Sequence, residues 1–290
     1  MPTFEFEDWM VNHYWSNGYM VLRQIIPGSL LRDLRNAADR ARALAYRIKG
    51  PQTQRIQPLV TYADDLDLQP FYNYCELPEL VDAIHKLMGP EYRHHNINNM
   101  GLLVDPDGHS WNQGWHRDAV VEVPEPVQSD SEFRSTLEEV WFNRRLFNQV
   151  NCAIYNDSCL WYVPGSHARQ RDLPGEIQTI RADHLPKWHD DTSETEFEKT
   201  CYLHAATFPG AQQMHLIAGD YMLYRSNAWH CGNYLSYQPR ATIHDSCVYQ
   251  EGDFVPNYRK RWAQVKEDAK ARYAETHPAD CTLPDAPNPT

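Results

Sequence analysis

The chain has 290 residues, 42% of them hydrophobic and 23% charged, with a formal net charge of −12 at pH 7 and a sequence pI near 5.6. That length suits one large domain, which β sandwiches and barrels routinely reach, and the charged share is too ordinary for global disorder. An acidic chain gains nothing from counterion release on phosphates and is not drawn to an anionic membrane surface, so nucleic acid and membrane are not expected partners.

In chain order, Glu7 to Tyr14 reads as a helix ending near Gly18, and Tyr19 to Arg23 as a short strand. Pro27-Gly28-Ser29 supplies a turn, after which Leu30, Leu31, Leu34, Ala37, Ala38, Ala41 and Leu44 recur at helical spacing as far as Gly50. A second amphipathic helix is predicted from Leu77 to Met88, with Gly89 as its stop. From residue 91 short apolar runs separated by Gly, Pro, Asn and Asp replace that period. Strands are predicted at His95–Val104, Gly114–Arg117, Gln149–Tyr155, Leu160–Val163, Gln213–Ile217, Tyr221–Arg225 and Arg240–Tyr249. Between them, Glu132 to Arg145 reads as a helix, and the Asp/Glu-rich stretch Ala168 to Thr200 as a long loop or lid. Asn257 to Thr276 reads as a charged helix before a Pro-rich tail. Helices first and many strands after predict an α+β, mainly β fold. The expected organisation is a single domain over 1–290, with helical support over 1–90, a β core over 91–250, and a C-terminal helix and tail over 251–290.

The seven cysteines are Cys75, Cys152, Cys159, Cys201, Cys231, Cys247 and Cys281, an odd count with no C-x-x-C pair. They predict neither a disulfide framework nor a structural zinc site, and fit a reducing compartment. The opening MPTFEFEDWMVNHYW has no signal-peptide pattern, and no apolar run nears the roughly 18 residues of a membrane span. The expectation is a cytoplasmic protein.

The strongest local signal is Trp115-His116-Arg117-Asp118. On a strand, residues i and i+2 face the same side, so His116 and Asp118 can reach one ion. Two His and one carboxylate leave adjacent coordination positions open, the set used by non-haem Fe(II) oxygenases. H-x-D alone is weak: His189-Asp190-Asp191 matches too, in a polar run that reads as solvated loop, and His116 could equally be a hairpin His beside an unrelated Asp. The segment from Trp229-His230 through Cys231-Gly232-Asn233 adds a second His before an apparent Gly-Asn turn. Arg240, ten positions after His230, opens the next apolar strand. An Arg there can fork onto a carboxylate in a way Lys cannot match. Gly219-Asp220 reads as the turn of a hairpin whose second strand leads towards His230.

Three blocks in order, Gly114-Trp115-His116-Arg117-Asp118, Leu160-Trp161-Tyr162-Val163-Pro164-Gly165-Ser166-His167, and Gly219-Asp220 through His230-x-Gly-Asn to Arg240, resemble the phytanoyl-CoA dioxygenase family of 2-oxoglutarate oxygenases. The resemblance covers about residues 95 to 250, and departs from the family pattern at Asn156-Asp157-Ser158-Cys159, where an Asn-Gly step is common. It implies a double-stranded β-helix (a jelly-roll, cupin-like core) with supporting N-terminal helices. It implies Fe(II) held by His116, Asp118 and His230, with 2-oxoglutarate and O2 as co-substrates and Arg240 on the distal carboxylate. Asn99 and Gln113 are further candidates for 2-oxoglutarate, Asn99 reading equally well as a turn residue. Trp115, Trp161 and Trp229 are candidates for the substrate pocket, although large aromatics more often pack a core. The V-P-G-S-H block reads as a structural turn, so His167 is not a candidate ligand. Halogenases related to this family carry Ala or Gly where Asp118 stands, so oxygenation is the expected outcome, on a small-molecule metabolite. Two other readings stay open: a cupin-type metalloenzyme that needs no 2-oxoglutarate, and a non-catalytic small-molecule-binding protein of the same fold.

Overall fold

A computed structural model describes residues 4–119, 123, 126–179, 186–252 and 254–277. Helix α1 (Trp9–Asn17) stops at Gly18, which lies in the left-handed region at φ 80 and returns its N–H to Tyr14 O; glycine adopts that backbone without a Cβ penalty. Strand β1 (Tyr19–Leu22) leads to helix α2 (Gly28–Lys49), which buries Leu34, Ala37, Ala38, Ala41 and Leu44 along the predicted stripe. Strand β2 (Arg55–Ile56) and helices α3 (Gln69–Cys75) and α4 (Pro78–Met88) follow. Helix α3 was not expected, because its aromatic segment contains few strong helix formers.

The remaining strands are β3 (Tyr92–Arg93), β4 (Gly101–Val104), β5 (Trp111–Asn112), β6 (Asn148–Ala153), β7 (Leu160–Tyr162), β8 (Gln212–Gln213), β9 (Tyr221–Arg225), β10 (His230–Tyr234), β11 (Ala241–Ser246) and β12 (Val248–Tyr249). Helices α5 (Ser131–Trp141), α6 (Pro174–Thr179) and α7 (Glu194–Ala206) interrupt them, and α8 (Phe254–Thr276) comes last. The large sheet runs β1-β9-β6-β11-β4-β2 and the small one β5-β10-β7-β8, all pairings being antiparallel.

Alternation sorts the large sheet's side chains between two faces. Leu22, Ile56, Leu102, Val150, Tyr221 and Ile243 pack under the N-terminal helices in the main core. Val21, Ala153, Met222 and Tyr224 face Leu160 and Tyr162 of the small sheet. The fold is therefore mixed α and β, with two antiparallel sheets packed face to face. Helix α7 covers the outer side of the small sheet, where Ala205 joins Trp161 and Cys231. Helix α8 packs along α5 through Phe133, Leu137, Val265 and Ala269, and Arg272 forks onto Asp130 with two bonds of 2.8 Å.

Several expectations are corrected. The strand predicted from His95 begins only at Gly101, after a turn closed by Asn99 N–H to Asn96 O. The strand predicted at 114–117 reduces to a single bridge, His116 to His230. The hairpin expected around Gly219-Asp220 does not form: β8 pairs with β7, whereas β9 lies between β1 and β6. The Gly-Asn step after His230 is no turn but the middle of β10. Gly232 is needed there because a Cβ would meet the Tyr234 ring at 2.8 Å and Cys159 Sγ at 3.4 Å. The stretch 168–200 is not one long loop, since it holds α6 and the start of α7, whose Ser193 and Glu196 form a capping box. Residues 180–185 of that stretch, and the tail after 277, lie outside the described residues. Among the described residues no helix is long and apolar enough to cross a membrane.

Candidate metal centre

His116 and His230 exchange backbone bonds (His116 N–H to His230 O 2.9 Å, His230 N–H to His116 O 3.1 Å), which sets their side chains next to each other with ring centroids 4.2 Å apart. Asp118 reaches the same point two residues on, its N–H held by Ser226 O at 3.0 Å. Asp118 Oδ1 lies 3.6 Å from His116 Nε2 and 3.7 Å from His230 Nε2, and donor atoms of all three residues lie within 4.8 Å of one another. Metal–donor bonds of about 2.0–2.2 Å require donor pairs roughly 3–4 Å apart, so the spacing suits one first-row ion.

Both rings are aimed by the nitrogen that faces away from that ion. His116 Nδ1 donates to Gly114 O at 3.0 Å and His230 Nδ1 to Ala228 O at 2.9 Å, leaving each Nε2 lone pair for the metal. Burial, helped by the neighbouring His230, lowers the His116 pKa to about 4 against the opposing pull of Asp118, so the imidazole is a neutral donor near pH 7. A His₂Asp set with open adjacent positions is the donor chemistry of non-haem iron.

Arg117, between His116 and Asp118, points the opposite way. Its guanidinium lies between the rings of Trp229 (4.8 Å) and Trp141 (5.3 Å), and its Nη1 donates to Arg169 O at 2.8 Å. It anchors the ligand-bearing segment to the scaffold.

Of the other sequence candidates, Gln113 lies beside the triad, its Nε2 being 3.5 Å from His116 Nε2. Asn99 does not: it is exposed in the turn before β4. Trp115, Trp161 and Trp229 are also not pocket residues. Alternation turns each away from the His230 face, into a core with Val163, Phe208 and Cys231. The decoy His189 is exposed in a turn, and His167 serves structure, bonding Trp15 O at 3.1 Å.

Arg240 is buried at the start of β11, on the inward register of Thr242 and His244. Its Nε donates to Asp157 Oδ2 at 2.9 Å, Thr242 Oγ1 donates to the same oxygen at 2.6 Å, and the Tyr234 ring lies 4.6 Å from the guanidinium. One edge is thus committed to a protein carboxylate, while the buried Nη1 has no partner. Arg240 lines a cavity of about 60 Å³ that contains none of the three metal donors.

Sequence reading missed four residues. Arg55 projects from β2 on the row of Leu103 and Thr242, its buried Nε without a partner, and its charge is felt by His116 and His244. His244, held neutral by burial, takes a bond from Gln149 Nε2 (3.0 Å) and donates from Nδ1 to Asn151 Oδ1 (2.9 Å). Gln149 and Tyr258 line the cavity that contains Asp118, about 220 Å³ in volume. None stands in a recognisable motif; only the period-2 pattern of β6 and β11 hinted at inward Gln149 and His244.

The sequence matches no protein-family model and no curated protein. By structure the chain is similar to SnoN, a non-haem α-ketoglutarate-dependent epimerase from nogalamycin biosynthesis (TM-score 0.50, 13% identity, covering 82% of this chain and 80% of that one). It is similar to AviO1 from Streptomyces viridochromogenes Tue57 (TM-score 0.51, 14% identity, 86% and 96% covered). EvdMO1 is another likeness (TM-score 0.52, 15% identity), this chain being 83% covered and spanning 49% of that one. At these identities the likeness is one of fold.

Proposed function

We propose that the protein is an Fe(II)/2-oxoglutarate-dependent oxygenase that oxidises a C–H bond of a small metabolite with O2, releasing succinate and CO2. On this reading the two sheets are the double-stranded β-helix of the phytanoyl-CoA dioxygenase-like enzymes. The observation that carries it is the convergence of His116, Asp118 and His230, from separate stretches of chain, with both imidazoles oriented by backbone carbonyls. The shared fold with an α-ketoglutarate-dependent epimerase supports it.

When bound, iron and 2-oxoglutarate supply O2 activation through oxidative decarboxylation. The chain's own part is to hold and to orient. His116, Asp118 and His230 would take one face of the ion and leave the opposite face open. The unpartnered Nη1 of Arg240 would receive the distal carboxylate, with Asp157 fixing the guanidinium plane. Gln113 would stand beside the bound keto acid. Asp118 keeps a carboxylate where a halogenase needs an open site, so oxygenation is the proposed outcome.

Anaerobic titration with Fe(II) and 2-oxoglutarate tests the reading. A visible metal-to-ligand charge-transfer band is expected, and it should vanish in His116→Ala. A protein that binds iron yet gives no band would be a metalloenzyme of another kind.

A further inference from the structure

The cavity of about 220 Å³ that ends on Asp118 opens between the loop after α5, the ends of β6 and β11, and the first turns of α8. Its charged lining is unusual for a chain of net charge −12. Apart from the metal ligand Asp118, the only charged residues are Arg145 and Arg259. They come from different elements, both are exposed, and among the described residues neither is in an ion pair. The Arg145 guanidinium lies over the rings of Tyr249 (4.4 Å) and Phe254 (5.0 Å), cation–π contacts that position the head without supplying a counter-charge.

Two uncharged groups in the same lining also lack partners. Because His244 Nδ1 donates to Asn151 Oδ1, its Nε2 must accept, so Gln149 presents its NH2 to the ring. The Gln149 Oε1 is then left buried without a donor, and the Tyr258 hydroxyl is likewise buried without a partner. Orphaned buried polar atoms are rare unless a ligand satisfies them.

We infer that this cavity is the primary-substrate site, and that the substrate carries an anionic group, a carboxylate or a phosphate, held by Arg145 and Arg259. Gln149 Oε1 and the Tyr258 hydroxyl are then the groups in the same lining left to hydrogen-bond its uncharged part. The inference rests on the oxygenase reading for the word substrate, but the anion preference belongs to the cavity whatever the metal does.

The test uses metal-free protein and three probes of one chain length: hexanoate, hexyl phosphate and hexanamide, followed by ligand-observed NMR. At least one anion should bind, more weakly as salt rises, and the amide should bind far less well. Arg145→Gln and Arg259→Gln should each weaken binding about two- to fivefold and the double variant about tenfold. Preference for hexanoate or for hexyl phosphate identifies the anion's source, and either supports the assignment. Equal binding of hexanamide, indifference to the double substitution, or no binding of either anion overturns it. With Zn(II) and saturating 2-oxoglutarate added, the anion should still bind; its displacement would return the arginines to the co-substrate and also overturn it. The metal-free arm is unaffected by a failed iron titration, so the two readings fail separately.

Discussion

Replacing Arg117 by Met tests how the scaffold aims the ligands. The guanidinium is 1% exposed, stacked between Trp229 and Trp141, and bonded to Arg169 O at 2.8 Å. Nη2 also stands 3.2 Å from Asp172 Oδ1, as a charge contact without hydrogen-bond alignment. Two desolvated cation–π contacts of about 1–2 kcal/mol each and one charge-assisted bond of about 1.5–3 sum to a gross loss of about 4–7 kcal/mol. Against that, burial lowers the Arg117 pKa to about 10, so holding the cation costs about 3 kcal/mol that Met relieves. Asp172 is one-third exposed and can turn to water. The net expectation is about 1–4 kcal/mol of destabilisation by urea unfolding, with metal affinity reduced about 10–100-fold because His116 and Asp118 lose their shared brace. Arg117→Lys should do no better, since an ammonium lacks the planar faces that both indoles contact. Wild-type stability and metal affinity in the Met variant would refute the bracing role.

Single replacements of His116 or His230 by Ala should abolish tight Fe(II) binding in equilibrium dialysis while the far-UV circular dichroism stays native. Arg240→Met should raise the 2-oxoglutarate concentration that half-saturates the charge-transfer band on the order of a hundredfold, the loss of one charge-assisted contact; a loss seen only in Arg55→Met would move that role to β2. Asp157→Asn should destabilise by about 3–5 kcal/mol, since it strands the buried Arg240, and added Fe(II) with 2-oxoglutarate should raise its Tm more than that of wild type. Asp245, raised by burial to about 7, gives a pH test. Its folded value lies above the unfolded one, so the stability it allows is complete below about pH 4 and is lost as pH rises to about 7, a span worth about 4 kcal/mol. Measured from pH 4 to 8, the stability of Asp245→Asn relative to wild type should therefore increase, and parallel curves would contradict the buried carboxylate.

The helices were legible where one face is buried and the stops are explicit. Gly18, Gly50 and Gly89 end α1, α2 and α4, and the apolar spacing between stops is what α2 and α4 bury. Strand existence was legible too, but not pairing. A run such as Tyr221–Arg225 announces a strand by its apolar content, yet its neighbours β1 and β6 are remote in sequence. The stretch 168–200 misled because α7 has little amphipathic pattern, sitting with only Phe197, Cys201, His204 and Ala205 buried. Its capping box, Ser193-x-x-Glu196, was the one available signal.

The site divides along the same line. The ligand pair at 116 and 118 is a local pattern, and strand parity alone places Arg117 and Trp115 on the far side; the same parity, applied to Trp161 and Trp229, would have removed the tryptophans from the pocket. Arg240 could be found from its spacing, but its Asp157 partner could not, because that ion pair joins positions 83 residues apart. The cavity beside Asp118 was the least legible of all. Its arginines and Tyr258 come from segments that carry no motif, and α8 reads as a plain charged helix until its packing on α5 brings its first turns into one cavity with Asp118. A net charge of −12 argued against nucleic acid and an anionic membrane surface, yet net charge constrains the long-range field and leaves a pocket free to hold two arginines outside any ion pair among the described residues. On the proposed reading, substrate charge is set by a few side chains gathered by tertiary structure, and these are the residues that chain-order reading reaches last.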